Sequence, residues 1–358
     1  MSRVPGFDDT KFFNFDFSPA FGCFFMTNKP IASISVDLDN LWSYLKVHGE
    51  PSWEEFPGYL NIVVPHMLRF FDDHEIRTTF FVVGQDAALE RNHDPIAMLA
   101  EDGHEIGNHS FQHEPWLHLF SQRQLEDEFD RTEAAIESLT GVRPVGFRGP
   151  GFSRCQRVLQ LLMRRGYQYD ASTFPTSLGP VARAYYMLSA SFSKAEKEER
   201  KQLFGSFSDA FQLNRPFLYT DGDDRLVEIP VTTMPFTRFP IHASYLNYLA
   251  GASVSLAKAY FWKALTLCRW TGTAPSLLLH PTDFLCAADV PEMAFFPGMS
   301  VPAYKKIELL SDCVRMMSKH YEIVTMREQA KSVLQQSPIE RSISTVIPGI
   351  SEKMLNEA

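Results

Sequence analysis

The sequence predicts an α/β fold assembled from parallel strand–helix units. Three observations carry that expectation. Short apolar runs alternate with amphipathic helical stretches, at roughly 20–40 residues per unit. The polar residues best suited to chemistry fall at the C-terminal ends of the predicted strands, where β/α barrels build their sites. The composition, 45% hydrophobic and 22% charged over 358 residues, suits a folded chain with a sizeable core.

Residues 1–30 are aromatic and irregular and read as an N-terminal arm. Ile31–Val36 is a buried strand ending at Asp37. Residues 58–73 place Leu60, Val63, Val64, Met67, Leu68, Phe70 and Phe71 on one helical face. Pro65 lies inside that pattern and is expected to kink or shorten the helix. Thr78–Val83 is a second strand closed by Gly84. A helix over 94–102 ends at Gly103, and Glu105–Gly107 is a short strand. Residues 121–139 are polar and periodic, a surface helix with Gly141 beyond its end. Gly146–Arg148 is a strand, 155–165 a helix closed by Gly166, and Tyr167–Tyr169 a strand.

Residues 176–222 interrupt the rhythm and read as an insertion. Its mixed-charge run Lys194–Lys201 is expected to be a solvated helix. Leu226–Pro230 and Ser276–His280 restore the strands, 303–319 is helical, and Tyr321–Val324 is the last strand. The main domain is therefore 31–333, followed by a polar tail over 334–358. No internal repeat or low-complexity tract is present.

Net charge is −9 and the pI about 5.7, which argues against nucleic acid as the main partner. Five scattered cysteines, Cys23, Cys155, Cys268, Cys286 and Cys313, form no CxxC pair and fit a reducing compartment. The N-terminus shows no basic stretch leading into an apolar one, so no signal peptide is expected, and no apolar run is long enough to span a bilayer. A cytoplasmic location is the expectation. The 30 phenylalanines suit an aromatic-rich core.

Chemistry concentrates in Glu105–His113. His109 and His113, four apart, are placed to point the same way from one helical turn, as two imidazoles on one divalent cation would. About 70 residues earlier Asp37-Leu38-Asp39 ends a strand. A metal hydrolase needs two or three neutral or anionic ligands and a base, and these segments hold all of them. Arg148 and His280 also end predicted strands. Taken singly each has a bland reading: a turn aspartate, a chance histidine pair, a surface arginine, a core histidine.

Together the segments Asp37-Leu38-Asp39, His109-Ser110-Phe111-Gln112-His113, Arg148-Gly149-Pro150, Tyr169-Asp170-Ala171-Ser172 and Leu278-Leu279-His280-Pro281 resemble the polysaccharide deacetylase family (NodB-homology domain, carbohydrate esterase family 4). The resemblance covers roughly 31–333 apart from the insertion. It implies a distorted (β/α) barrel of about seven parallel strands. It also implies one divalent metal ion, usually zinc, on Asp39, His109 and His113. Asp37 would be the general base, held ionised by Arg148. His280 would be the general acid, with Asp170 fixing its tautomer. Pro150, Gly151 and Phe152 would meet substrate, and the amide of Phe152 or Ser153 is a candidate oxyanion donor. The family's usual adjacent Asp-Asp is here Asp-x-Asp, with Asn40 as a supporting residue.

The leading expectation is a metal-dependent amidohydrolase that removes an acetyl or formyl group from an amino sugar. The lack of a recognisable export signal points to a lipid- or nucleotide-linked sugar at the inner membrane face, with peripheral membrane contact. The aromatic segments Pro235–His242 and Tyr245–Trp270 would face such a substrate or serve as ordinary core packing. The insertion is expected to build a lid or a homo-oligomer contact. A non-sugar amide such as a cyclic imide or ureide is the second reading, and an inactive metal-binding scaffold the third.

Overall fold

The computed structural model describes residues 29–179 and 210–346. Ten strands make one sheet among them: β1 Ile31–Asp37, β2 Thr79–Val82, β3 Glu105–Asn108, β4 Gly146–Phe147, β5 Tyr169–Asp170, β6 Phe217–Asp221, β7 Asp224–Glu228, β8 Ser276–Leu279, β9 Glu322–Val324 and β10 Glu340–Ser342. The order is β10-β6-β7-β5-β4-β3-β2-β1-β8, with β9 also on β1. Every pairing is parallel except β6 with β7. Seven strands, from β7 across to β8, therefore form one continuous parallel run. Its ends meet: Thr232 N–H donates to Ser276 O at 3.0 Å, and Ser276 N–H to Thr232 Oγ1 at 2.8 Å. The sheet thus curls into the distorted barrel expected from the sequence.

Alternation along β1 explains how its two faces divide. Ala32, Ile34 and Val36 join the largest apolar cluster, with Val63, Phe71, Phe261 and Leu310 from the surrounding helices. Ser33, Ser35 and Asp37 are equally buried but point to the other face, as period-2 geometry requires. There Ser33 Oγ donates to Gln329 Oε1 at 2.6 Å, and Ser35 Oγ accepts from Arg148. These interior serines are thus hydrogen-bonded. So is Glu105, accepting from Thr79 Oγ1 at 2.7 Å and Tyr169 O–H at 3.0 Å.

Three expectations change. The helix Leu60–Asp73 runs through Pro65 without being shortened. Pro65 lies on the exposed side, as does Asn61 four residues before it, so the carbonyl deprived of its partner faces water. Phe217–Asp221, assigned to the insertion, belongs to the sheet. β6 pairs with β7, and Asn214 Nδ2 donates to Thr233 O at 2.6 Å. The polar tail begins later than expected, because β10 pairs with β6 and Ile343 is buried in a second apolar cluster with Phe217 and Tyr219. The N-terminal arm up to residue 28, the charged run Lys194–Lys201 and the tail beyond 346 lie outside the described residues.

One polar cluster fixes the loop after β1. Asn40 caps the helix Leu41–His48, its Oδ1 accepting from Leu41 N and from Tyr59 N at 2.9 Å each. Asn40 Nδ2 donates to Asp86 Oδ1 at 2.7 Å, and Trp42 Nε1 and Asn92 Nδ2 donate to the same oxygen at 3.0 Å each. Burial pushes the Asp86 carboxyl from 3.8 up to about 7, against the pull of Asn40 and Trp42. Its value is higher folded than unfolded, so folding takes up a proton across that interval. The associated stability is complete below pH 4 and is lost as pH rises through about 7. The free energy of unfolding should fall between about pH 4 and 7 in denaturant titrations, and Asp86→Asn should flatten that slope.

Candidate metal centre and active site

Asp39 lies two residues beyond β1, and its carbonyl accepts from Tyr59 O–H at 2.6 Å. His109 follows β3 directly, its amide donating to Val82 O at 3.0 Å. The two histidines do not share a helical turn. Residues 109–113 form an irregular loop, with Ser110 at φ 58° and His113 at φ 53°, left-handed values that side chains resist. Side chains over-determine this path. Asn108 Oδ1 accepts from Ser110 N at 2.8 Å, an Asx turn. Glu128 Oε2 accepts from Phe111 N at 2.7 Å and Gln112 N at 3.0 Å. The turn, rather than a helix, swings the second imidazole back beside the first.

Asp39, His109 and His113 each offer one ligand atom, all within 4.8 Å of one another. Asp39 Oδ1 lies 3.0 Å from His113 Nε2 and 3.4 Å from His109 Nε2, yet it has no hydrogen-bond partner. His109 Nδ1 sits 2.6 Å from Arg148 O, a contact that places its proton on Nδ1 and leaves the Nε2 lone pair facing Asp39. Burial disfavours the Asp39 charge, but His113 and His109 outweigh it and hold the carboxyl well below the usual range. An orphaned buried oxygen facing two imidazole nitrogens fits a divalent cation with a two-histidine, one-carboxylate set.

Arg148, wholly buried, joins this set to Asp37. Its Nη1 donates to Asp37 Oδ1 at 2.6 Å and to Ser35 Oγ at 2.9 Å, and its Nε to Ala171 O at 3.0 Å. The guanidinium lies over the Phe81 ring, 4.4 Å from its centroid. The expected contact between Arg148 and Asp37 is therefore present, and the carbonyl of the same residue orients His109. Asp37 is close enough for its charge to favour protonation of His109, against the opposing effect of burial.

His280 follows β8 and heads a short turn. Its amide donates to Asp283 Oδ2 at 2.8 Å, and its Nδ1 lies 3.4 Å from Ser244 Oγ. Asn247 Nδ2 donates to Asp283 Oδ1 at 2.9 Å. Asp170, expected to partner His280, does not. Asp170 faces Glu228 across the β5/β7 register and accepts from Ser172 Oγ at 2.5 Å. Burial raises both of those carboxyls, and Asp170 raises Glu228 further. Strand register decides this: Asp170 is committed to its neighbour on β7, and the carboxylate at His280 comes from its own turn. His280-Pro281-Thr282-Asp283 has capping-box spacing, a signal already present in the sequence.

The expected substrate residues divide. Pro150 is buried, while Gly151 is exposed at φ 58°, where a Cβ would lie 2.9 Å from Pro115. Phe152 packs with its ring tilted against Phe174, centroids 4.8 Å apart, and Phe174 meets His242 at 5.5 Å. This aromatic row passes beside His280, whose charge adds to the burial that lowers His242 to about 3. The amides of Phe152 and Ser153 are not oxyanion donors, because they donate to Gly149 O at 2.9 Å and Pro150 O at 3.0 Å. His242, Ser244, Asp283 and Glu128 are site or supporting residues that sequence reasoning did not assign.

Two predictions follow from this geometry. The purified chain should hold one divalent ion per molecule by elemental analysis. Asp39→Asn and His109→Ala should lose it and Asp37→Asn should keep it; the opposite pattern would reverse the roles of the two aspartates. Arg148→Met should strand the Asp37 charge and cost about 3–5 kcal/mol in denaturant unfolding.

Residues 53–169 match the family model for polysaccharide deacetylase. That span contains the histidine pair and Arg148, whereas Asp37, Asp39 and His280 rest on the geometry above. The chain is 26% identical over 175 residues to a peptidoglycan deacetylase of Helicobacter pylori, covering 48% of this chain and 58% of that one. It is 33% identical over 112 residues to the peptidoglycan-N-acetylmuramic acid deacetylase PdaA of Bacillus subtilis, covering 31% of this chain and 41% of that one. The chain thus aligns with about half the length of these relatives. A polysaccharide-deacetylase-type protein of Mycobacterium smegmatis shares the fold at a TM-score of 0.58 and 21% identity, over 88% of this chain and 93% of that one. The motifs, strand order and ligand geometry agree with the match of residues 53–169 to the polysaccharide deacetylase family.

Proposed function

We propose that this protein is a metal-dependent hydrolase that cleaves the amide C–N bond of an N-acylated amino sugar. The observation that carries the reading is the juxtaposition of two units. Asp39, His109 and His113 offer a cation site, and beside them the buried Arg148 holds Asp37. When bound, a divalent ion supplies Lewis acidity and lowers the pKa of a water molecule. Zinc suits the nitrogen and oxygen donors.

The chain's own groups do the rest. Asp37, oriented by Arg148, takes a proton from the attacking water. His280 delivers a proton to the leaving amine nitrogen, its backbone pinned by Asp283. The row Phe152–Phe174–His242 offers apolar faces on which a sugar ring can rest. The presence of both Asp37 and His280 favours a working enzyme over an inactive scaffold.

The finer reading is an acetyl or formyl group on a lipid- or nucleotide-linked sugar, handled in the cytoplasm. Acylated monosaccharides, nucleotide sugars and lipid-linked sugars should be assayed for released acetate or formate, with cyclic imides assayed alongside for ring opening. Release from a sugar is expected, and Asp37→Asn and His280→Ala should each lower it by ~100- to 10,000-fold. Ring opening of an imide without deacylation of any sugar would replace the sugar by a non-sugar amide.

A further inference from the structure

From Ile229 to Thr282 the chain contains no aspartate or glutamate, although its net charge is −9. The same stretch carries Arg238, Lys258, Lys263 and Arg269. It also holds seven of the sixteen large hydrophobic residues exposed among the described residues. Trp270 is 79% exposed, Phe236 77%, Tyr248 73%, Trp262 58% and Leu256 54%. An exposed leucine is ordinary, but a cluster of aromatics this open to water marks a contact surface.

Five of the seven, Tyr248, Val254, Leu256, Trp262 and Trp270, lie on two consecutive helices, Ala243–Ala252 and Val254–Thr271. Trp262 and Trp270 sit about two turns apart on the second. Lys258 is neutralised by Asp312, while Lys263 and Arg269 add positive charge to the outer side. At the far end Arg269, Lys319 and Lys29 surround His320 closely enough that all three disfavour its charge, alongside burial. Exposed Glu322 is the acidic residue nearest that end in sequence. The first helix continues the surface to the catalytic groups, because Ser244, which faces His280, and Tyr248 are one turn apart on one side.

We infer that this helix pair docks on an anionic bilayer surface. Tryptophan and tyrosine favour the boundary between headgroups and acyl chains, and a cationic rim is drawn to anionic lipid. No helix among the described residues is long and apolar enough to cross a membrane, so the contact lies in the interface plane. A two-fold contact of the patch with itself would bring two surfaces of the same positive sign together, which disfavours a second chain as the occupant. The docking does not depend on the reaction assigned to the site, and its test reads binding rather than turnover.

Flotation of the full chain with phosphatidylcholine vesicles, with and without phosphatidylglycerol, tests it. Binding should be on the order of tenfold or more tighter to the anionic vesicles and should weaken as salt rises. Trp262→Ser with Trp270→Ser should abolish it with an unchanged circular dichroism spectrum. Lys263→Glu with Arg269→Glu, exposed and away from the core, should remove the anionic preference even if the tryptophan variant fails to fold. Failure to bind either vesicle would overturn the inference. So would an oligomer, seen by light scattering, that either variant splits into monomers.

Discussion

The buried ion pair between Arg148 and Asp37 is the constraint on which the site depends. A guanidinium with no exposure is tolerable only when its donors are met. Here Asp37, Ser35 and Ala171 meet them, and the Phe81 ring covers a face. Those partners come from β1, β2 and the end of β5, so the charge ties separate strands together across the barrel interior. The carbonyl of the same residue fixes the tautomer of His109. One residue thereby sets the base and one ligand relative to each other, and a change there would disturb proton transfer and cation binding together.

Around that pair the supporting groups are carboxylates with distinct assignments. Glu128 holds the amides of the histidine loop, Asp86 holds the cap beside Asp39, and Asp283 holds the turn of His280. Asp170 accepts from the Ser172 hydroxyl, which in turn accepts from Gly149 N. Each sits at the C-terminal mouth of the parallel strands, where backbone amides leaving the strands lack ladder partners. Burial raises most of them, yet Asp39 is held down by its two imidazoles. The one carboxylate with that balance is the one placed to meet a cation.

Much of this was legible in the sequence. The strand ends at Asp37, His109, Arg148 and His280 fell where expected, because a short apolar run bounded by glycine or polar residues reports a buried strand with little ambiguity. The helical reading of His109–His113 failed because spacing alone cannot distinguish a helical turn from a loop wound by two left-handed residues. What separates them is Glu128, fifteen residues beyond His113 and legible only after the loop is built. Pro65 misled for a related reason. Its cost depends on whether the orphaned carbonyl faces water, which the packing of the helix decides.

The sequence by itself determined the alternation of strand and helix, the positions of the ligand and base candidates, and the acid-free aromatic stretch. These follow from local chemistry: side-chain period, turn residues and charge along the chain. Tertiary structure alone decided which carboxylate stands by His280, which amides are already committed, and that the strand beginning at Phe217 belongs to the sheet. Those outcomes turn on register and on long-range hydrogen bonds. A shift of one residue in strand pairing reverses which face a side chain occupies, and no local pattern records it.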